Sequence, residues 1–206
     1  MKKNFWTLFL VLSALIFCCS SCGKKSVQTS EIESTDSIRI YGIKSGYFRT
    51  IYPMSKTNVE TWFDNYGALQ YVEVREANDK NVSKKLVRGN DEYYYSTYDN
   101  SGIKKTVEYV DYRVWENPSK EEIEYFGLVR QPIEFIDGKA CKVYLINSGI
   151  PAKMYIWNGF IMKNVTQDGK VMTEIIDFRE VSVPLNRFDI PSNINFTEEV
   201  LEEPQQ

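Results

Sequence analysis

The chain is predicted to fold as a mainly β protein, built from antiparallel strands with one or two short helices, and three observations predict it. Between residues 133 and 181 five strand-like runs follow one another, punctuated by Asp137-Gly138, Asn158-Gly159 and Asp168-Gly169, dipeptides that supply the positive φ angles two-residue hairpins demand. Two more hairpins stand upstream, around Asp64-Asn-Tyr-Gly67 and around Gly89-Asn-Asp91. Helix signals are scarce by comparison, the clearest being Ser119-Lys-Glu-Glu122.

Taken in chain order, Ile38-Arg-Ile-Tyr-Gly-Ile-Lys44 and Tyr47-Phe-Arg-Thr-Ile-Tyr52 are rich in β-branched and aromatic residues and are expected as strands. Val59-Glu-Thr-Trp-Phe63 and Ala68-Leu-Gln-Tyr-Val-Glu-Val-Arg75 alternate on either side of the first turn. Lys85-Leu-Val-Arg88 and Glu92-Tyr-Tyr-Tyr-Ser-Thr-Tyr98 flank the second. From Ile103 to Val114 two periods compete: Val107, Val110 and Val114 have helical spacing, but the surrounding residues favour strand. The capping box at Ser119 opens a short helix expected to run to about Val129 and to end before Pro132. The meander 133–136, 139–146, 152–157, 160–166 and 170–181 follows. Pro184, Pro191 and Pro204 mark a closing segment that cannot lie in the middle of a sheet, since proline donates no ladder hydrogen bond.

Composition narrows the chemistry. The 206 residues include no histidine, which excludes Ser-His-Asp and Cys-His relays, His-ligated metals and an imidazole switch near neutral pH. With 25 Lys+Arg against 28 Asp+Glu, the chain lacks the basic excess of a nucleic-acid binder. Paired carboxylates such as Glu174, Asp177 and Glu180 would suffice for glycoside hydrolysis, but the abundance of acidic residues explains them as a solvated strand face. A non-enzymatic protein without cofactor or metal is expected.

The N-terminus carries an address. Lys2 and Lys3 precede a 13-residue apolar run, Phe5 to Phe17, too short to span roughly 30 Å of hydrocarbon comfortably as a helix and of the length of a secretory h-region. An uncleaved signal anchor is the alternative. The next residues, Cys18-Cys19-Ser20-Ser21-Cys22-Gly23, resemble a bacterial lipoprotein processing site in which Cys22, preceded by small residues, is lipidated and becomes the mature N-terminus. That resemblance implies a signal peptide over 1–21 and a lipid anchor in place of a membrane span. By resemblance to Gram-negative lipoproteins, Gly23 in place of Asp favours the outer membrane, and Lys24-Lys25, in place of an acidic export tract, favours its periplasmic face. Removal of 1–21 takes away two lysines and leaves 23 basic against 28 acidic side chains, with Cys22 and Cys141 the remaining cysteines. With Cys22 acylated, Cys141 has no intramolecular partner, so the domain folds without a disulfide. In Ala140-Cys141-Lys142-Val143-Tyr144 it reads as a small buried hydrophobe or as a reactive thiol.

Residues 22–36 hold few large apolar side chains and read as a flexible tether, followed by a β domain over 37–197 and an acidic tail over 198–206. Asp36-Ser37-Ile38 resembles a short O-glycosylation motif of envelope proteins, with Ser37 as the acceptor.

Several segments carry a wider resemblance: Tyr41-Gly-Ile-Lys-Ser-Gly46, Trp62-Phe-Asp-Asn-Tyr-Gly67, Asp137-Gly-Lys-Ala-Cys-Lys-Val-Tyr144, Trp157-Asn-Gly159 and Phe188-Asp-Ile-Pro191. Together they resemble uncharacterised envelope lipoproteins of Gram-negative anaerobes, LolA/LolB-like in strand pattern. The resemblance implies a single curved antiparallel sheet or half-open barrel with helices over its open side, and in some members an acyl chain in the concavity. On that fold Trp62, Tyr71, Tyr95, Tyr155 and Trp157 are the candidate walls of a cleft for a lipid or other hydrophobic ligand. Core and cross-strand packing is the competing role for such aromatics. The alternative function is an accessory or structural lipoprotein that docks an envelope protein partner, or a glycan, through an aromatic surface or a sheet edge.

Overall fold

The computed structural model describes residues 39–77, 82–96, 98, 100–109, 111–147 and 150–199. The signal peptide, Cys22, the tether, Ser37 and the tail beyond 199 lie outside the described residues.

Among the described residues the strands are β1 (Gly46–Tyr52), β2 (Thr57–Asp64), β3 (Leu69–Glu76), β4 (Val82–Arg88), β5 (Asp91–Ser96), β6 (Ser101–Thr106), β7 (Leu128–Ile136), β8 (Lys139–Ile146), β9 (Ala152–Trp157), β10 (Phe160–Thr166), β11 (Val171–Arg179) and β12 (Asn195–Glu198). Two short helices, α1 (Arg113–Glu116) and α2 (Lys120–Phe126), separate β6 from β7. All twelve strands join one sheet in the order β12-β6-β5-β4-β3-β2-β1-β11-β10-β9-β8-β7. The sheet is curved and open. It consists of two meanders, β1–β6 and β7–β11, joined where β1 pairs antiparallel with β11. Among these strands only β12 runs parallel to its neighbour, β6.

Local chemistry explains most of this. Asp137 and Gly138 between β7 and β8, and Asn158 and Gly159 between β9 and β10, all take positive φ, as two-residue hairpins require. Ser119 and Glu122 form the reciprocal capping box of α2. The helix is shorter than its expected end at Val129. Gly127 takes a left-handed conformation and turns the chain, so Val129 lies in β7 instead. Pro132 consequently sits inside a strand, and the structure tolerates it because β7 is the outer strand and is bulged between Gln131 and Glu134.

One further expectation is corrected. The segment 39–45 is bent, not a strand. Its backbone is spent on loops at one end of the sheet: Ile40 and Tyr41 N–H groups donate to the Tyr66 carbonyl, Gly42 N–H donates to Asn158, and Tyr112 N–H donates to Arg39. This route buries Tyr41 against Phe160, ring centroids 4.3 Å apart and nearly parallel. Aromatic burial outweighs the β propensity of the isoleucines. The segment 103–114, which the sequence leaves open between strand and helix, is divided: β6 ends at Thr106 and α1 starts at Arg113, with only Val114 of the named valines in the helix among the described residues.

Packing falls into three clusters. Phe48, Phe63, Cys141, Phe160, Met162 and Ile175 form the first. Leu128, Tyr144, Met154 and Ile156 form another, covered by Trp115 of α1 and Phe126 of α2. In the third, Leu86 and Tyr93 meet Val183 and Phe188, which belong to a closing strap that includes a 3-10 turn over Leu185–Phe188.

Candidate functional site

Register assigns the side chains of the first meander to two faces. Directly opposed residues share a face, and residues two apart return to it. One face carries Phe63 and, across β1 to β4, the rows Thr50–Val59–Val74–Ser83 and Phe48–Thr61–Val72–Lys85. Thr50 also opposes Ile175 of β11, and Thr173, two residues before Ile175, opposes Asn164 of β10. The other face carries Tyr47–Trp62–Tyr71–Leu86–Tyr93.

The Phe63 face has a floor of short side chains. Thr50, Val59, Thr61, Val72, Val74, Asn164 and Thr173 are all buried. Val59, Val72 and Val74 nevertheless belong to none of the three hydrophobic clusters formed by the described residues. Bulky rings lie to one side of this floor, where Phe48, Phe63, Phe160 and Tyr41 pack edge to face and stacked.

A polar group lies on the same face over β4–β6. Glu92 is buried, receives a hydrogen bond from Lys85 Nζ at 3.0 Å and hydroxyl hydrogen bonds from Tyr94 and Tyr109, and stands 3.8 Å from Lys105. Burial pushes its carboxyl up, but Lys85 and the three hydrogen bonds outweigh that and hold it at about 2. Burial and the adjacent carboxylate push both tyrosine hydroxyls up. A carboxylate fixed as the anion and phenols fixed as the neutral form are anchors; neither exchanges protons near neutral pH. The cluster ties the segment after β6 to the sheet through Tyr109.

The five aromatics predicted as walls are divided by the fold. Trp62, Tyr71 and Tyr95 come together, on the face opposite the Val/Thr floor, and pack with Leu86, Tyr93, Val183, Phe188 and Phe196. Tyr155 and Trp157 pack at the margin of the Phe48–Phe63–Phe160 cluster, each with a lysine over its ring, Lys153 at 5.0 Å and Lys139 at 5.2 Å. None of the five stands in the rows that form the floor. Two of the three carboxylates considered for hydrolysis are separately ion-paired, Glu174 with Lys163 at 2.8 Å and Asp177 with Arg179 at 2.6 Å. Cys141 is wholly buried and burial pushes its thiol up, which is the packing role of the two considered for it.

Sequence reasoning missed the floor itself. The alternation Thr57-x-Val59-x-Thr61 in β2 and Gln70-x-Val72-x-Val74 in β3 is the available signal, but which alternate set faces the floor depends on strand register.

Among solved structures, the chain is similar to an uncharacterised conserved protein from Thermus thermophilus, with a TM-score of 0.54 at 9% identity over 76% of this chain and 91% of that one. It is also similar to MucB, at TM-score 0.42 and 10% identity over 72% of this chain and 57% of that one. A MucA/MucB complex of Pseudomonas aeruginosa gives 0.42 and 7% identity over 73% and 56%. The chain thus spans a little over half the length of the MucB chains. No protein-family model and no curated protein matches it. At these identities the likeness to the Thermus protein concerns the fold.

Proposed function

We propose that this protein is a non-enzymatic envelope lipoprotein, anchored through Cys22 to the periplasmic face of the outer membrane, that holds an acyl chain or a similar hydrophobic ligand against the Phe63 face of its sheet. The observation that carries the reading is the floor of Thr50, Val59, Thr61, Val72, Val74 and Thr173, short side chains that are buried while its valines stand outside the packed clusters of the described residues. Short residues on a curved sheet leave depth that large ones would fill, and each CH₂ of a ligand removed from water there contributes about 0.8 kcal/mol. The resident aromatics help by packing beside the floor and in the opposite face, where they stiffen the sheet. Among the described residues no helix is long and apolar enough to cross a membrane.

Native mass spectrometry of the protein purified from its own envelope, with displacement of a fluorescent fatty acid, tests the reading. Co-purifying lipid and saturable displacement are expected. Absence of both overturns it.

One observation favours a second reading, docking of an envelope protein partner. Tyr125 at the end of α2 is 63% exposed, and Ile133 and Phe135 of the neighbouring β7 are 56% and 73% exposed. Pro132 and the bulge interrupt this edge, so a partner would be held by these side chains and not by strand addition. A glycan on Trp62, Tyr71 and Tyr95 is disfavoured because Val183, Phe188 and Phe196 pack against them.

A further inference from the structure

The floor contains one polar atom that the fold leaves unsatisfied. Asn164 is only 7% exposed, and its side-chain oxygen Oδ1 is buried with no hydrogen-bond partner among the described residues. Strand pairing places it beside Thr173 of β11 and Met154 of β9. Thr173 shares its face with Ile175, which opposes Thr50, and so leads onto the row Thr50–Val59–Val74. The carbonyl therefore belongs to the floor and not to the opposite face. Buried polar atoms are almost always paired, so one without a partner calls for a donor from outside the fold.

The chemistry around it limits what that donor is. The floor residues Thr50, Val59, Thr61, Val72, Val74 and Thr173, and Met154 beside Asn164, carry no formal charge; along its own row Asn164 is followed by Met154 and Tyr144 before the first charged side chain, Arg130, on the outer strand β7, and in the other direction Lys85 is reached only on β4. An unpaired carboxylate or phosphate would be costly against such a surface, whereas a hydroxyl or an amide N–H satisfies Oδ1 and adds no charge. We infer that Asn164 is the polar anchor of the floor and that the ligand is an acyl chain bearing a hydroxyl or amide N–H along its length, not a plain hydrocarbon chain. This rests on the acyl-binding reading above and names the ligand class for the same site.

Tetradecanoic acid and 3-hydroxytetradecanoic acid are the probes, each titrated against the full chain loaded with a fluorescent fatty acid. The wild-type protein is expected to bind the hydroxy acid about tenfold more tightly, the increment of one good hydrogen bond to a buried acceptor. Asn164→Leu is expected to keep the plain acid and to lose that preference; Asn164→Val, which removes the acceptor in less volume, serves if the leucine variant does not fold. Equal affinities in the wild type overturn the assignment, as does a preference that survives in either variant. Failure of both probes to displace the reporter overturns the acyl-binding reading itself, which separates the two results.

Discussion

The Arg187 guanidinium lies 4.2 Å from the centre of the Trp62 ring and 5.6 Å from that of Tyr71. Arg187 belongs to the strap after β11, and Trp62 to β2 in the middle of the first meander, so this pairing fixes the strap across the face opposite the floor. Phe188, one residue on, is buried among Leu86 and Tyr93. The strap is therefore a structural cover, held by apolar area with a cation–π contact at its rim.

Phe188→Ala is expected to lower stability by about 3–5 kcal/mol, the range for removing a buried phenyl ring. Arg187→Ala removes only the rim contact and is expected to cost about 1 kcal/mol. Urea denaturation measures both. The phenylalanine variant should also shift tryptophan emission to the red as water reaches Trp62, and equal costs for the two variants would contradict the packing described.

Glu92 contributes to the acid limit of the fold. Its folded carboxyl is held at about 2, below the ordinary value of 4.5. A depressed carboxylate contributes stability that is present above pH 4.5 and is lost as pH falls towards 2. The amount is on the order of 3 kcal/mol from the size of the shift. In Glu92→Gln this part of the acid dependence is expected to disappear. Stability at pH 7 should fall by about 3 kcal/mol because Lys85 loses its buried partner. Denaturation midpoints from pH 7 to pH 3 in both proteins make the comparison; parallel curves would refute the assignment.

Two glycines separate backbone strain from packing. Gly138 and Gly159 both take positive φ, 74° and 80°. A Cβ on Gly138 meets nothing within 4 Å, whereas one on Gly159 would stand 2.6 Å from the Ile40 carbonyl oxygen and 2.6 Å from Tyr112 Cβ. Gly138→Ala is expected to cost about 1 kcal/mol for the backbone alone. Gly159→Ala should cost clearly more, because the bent segment 39–45 must move. Thermal unfolding of the pair decides it, and equal losses would mean that this segment is not held against the β9–β10 turn.

The two faces of β2 make separable predictions for ligand binding. Thr61→Phe places a ring on the floor and is expected to weaken fatty-acid displacement at least about tenfold with little loss of secondary structure by circular dichroism. Glu60→Ala, one residue away on the opposite face, is expected to leave displacement unchanged. Equal effects would place the ligand elsewhere.

The parts legible in the sequence are those decided within a few residues. Asp137-Gly138 and Asn158-Gly159 take their positive φ because few other residue pairs can, and Ser119 and Glu122 satisfy each other across one helical turn. The meander β7–β11 follows from such turns, and the mainly β class follows from the meander. The bend over 39–45 is not legible, because strand propensity is weak against the burial of Tyr41 on Phe160, a contact between distant parts of the chain that no local pattern records. Trp62 and Tyr71 are legible as neighbours, since they oppose each other in the β2–β3 hairpin. Their face is not: a one-residue change of register would exchange it with that of Thr61 and Val72. Turns, most of the strands, the helix start and the chemistry that a chain without histidine forgoes can be read from the residues alone. Non-local pairing, and which side of the sheet is already filled, set the rest: β1 pairs with β11, the closing strap covers the aromatic face, and Asn164 Oδ1 is buried without a partner among the described residues, beside a floor of threonines and valines.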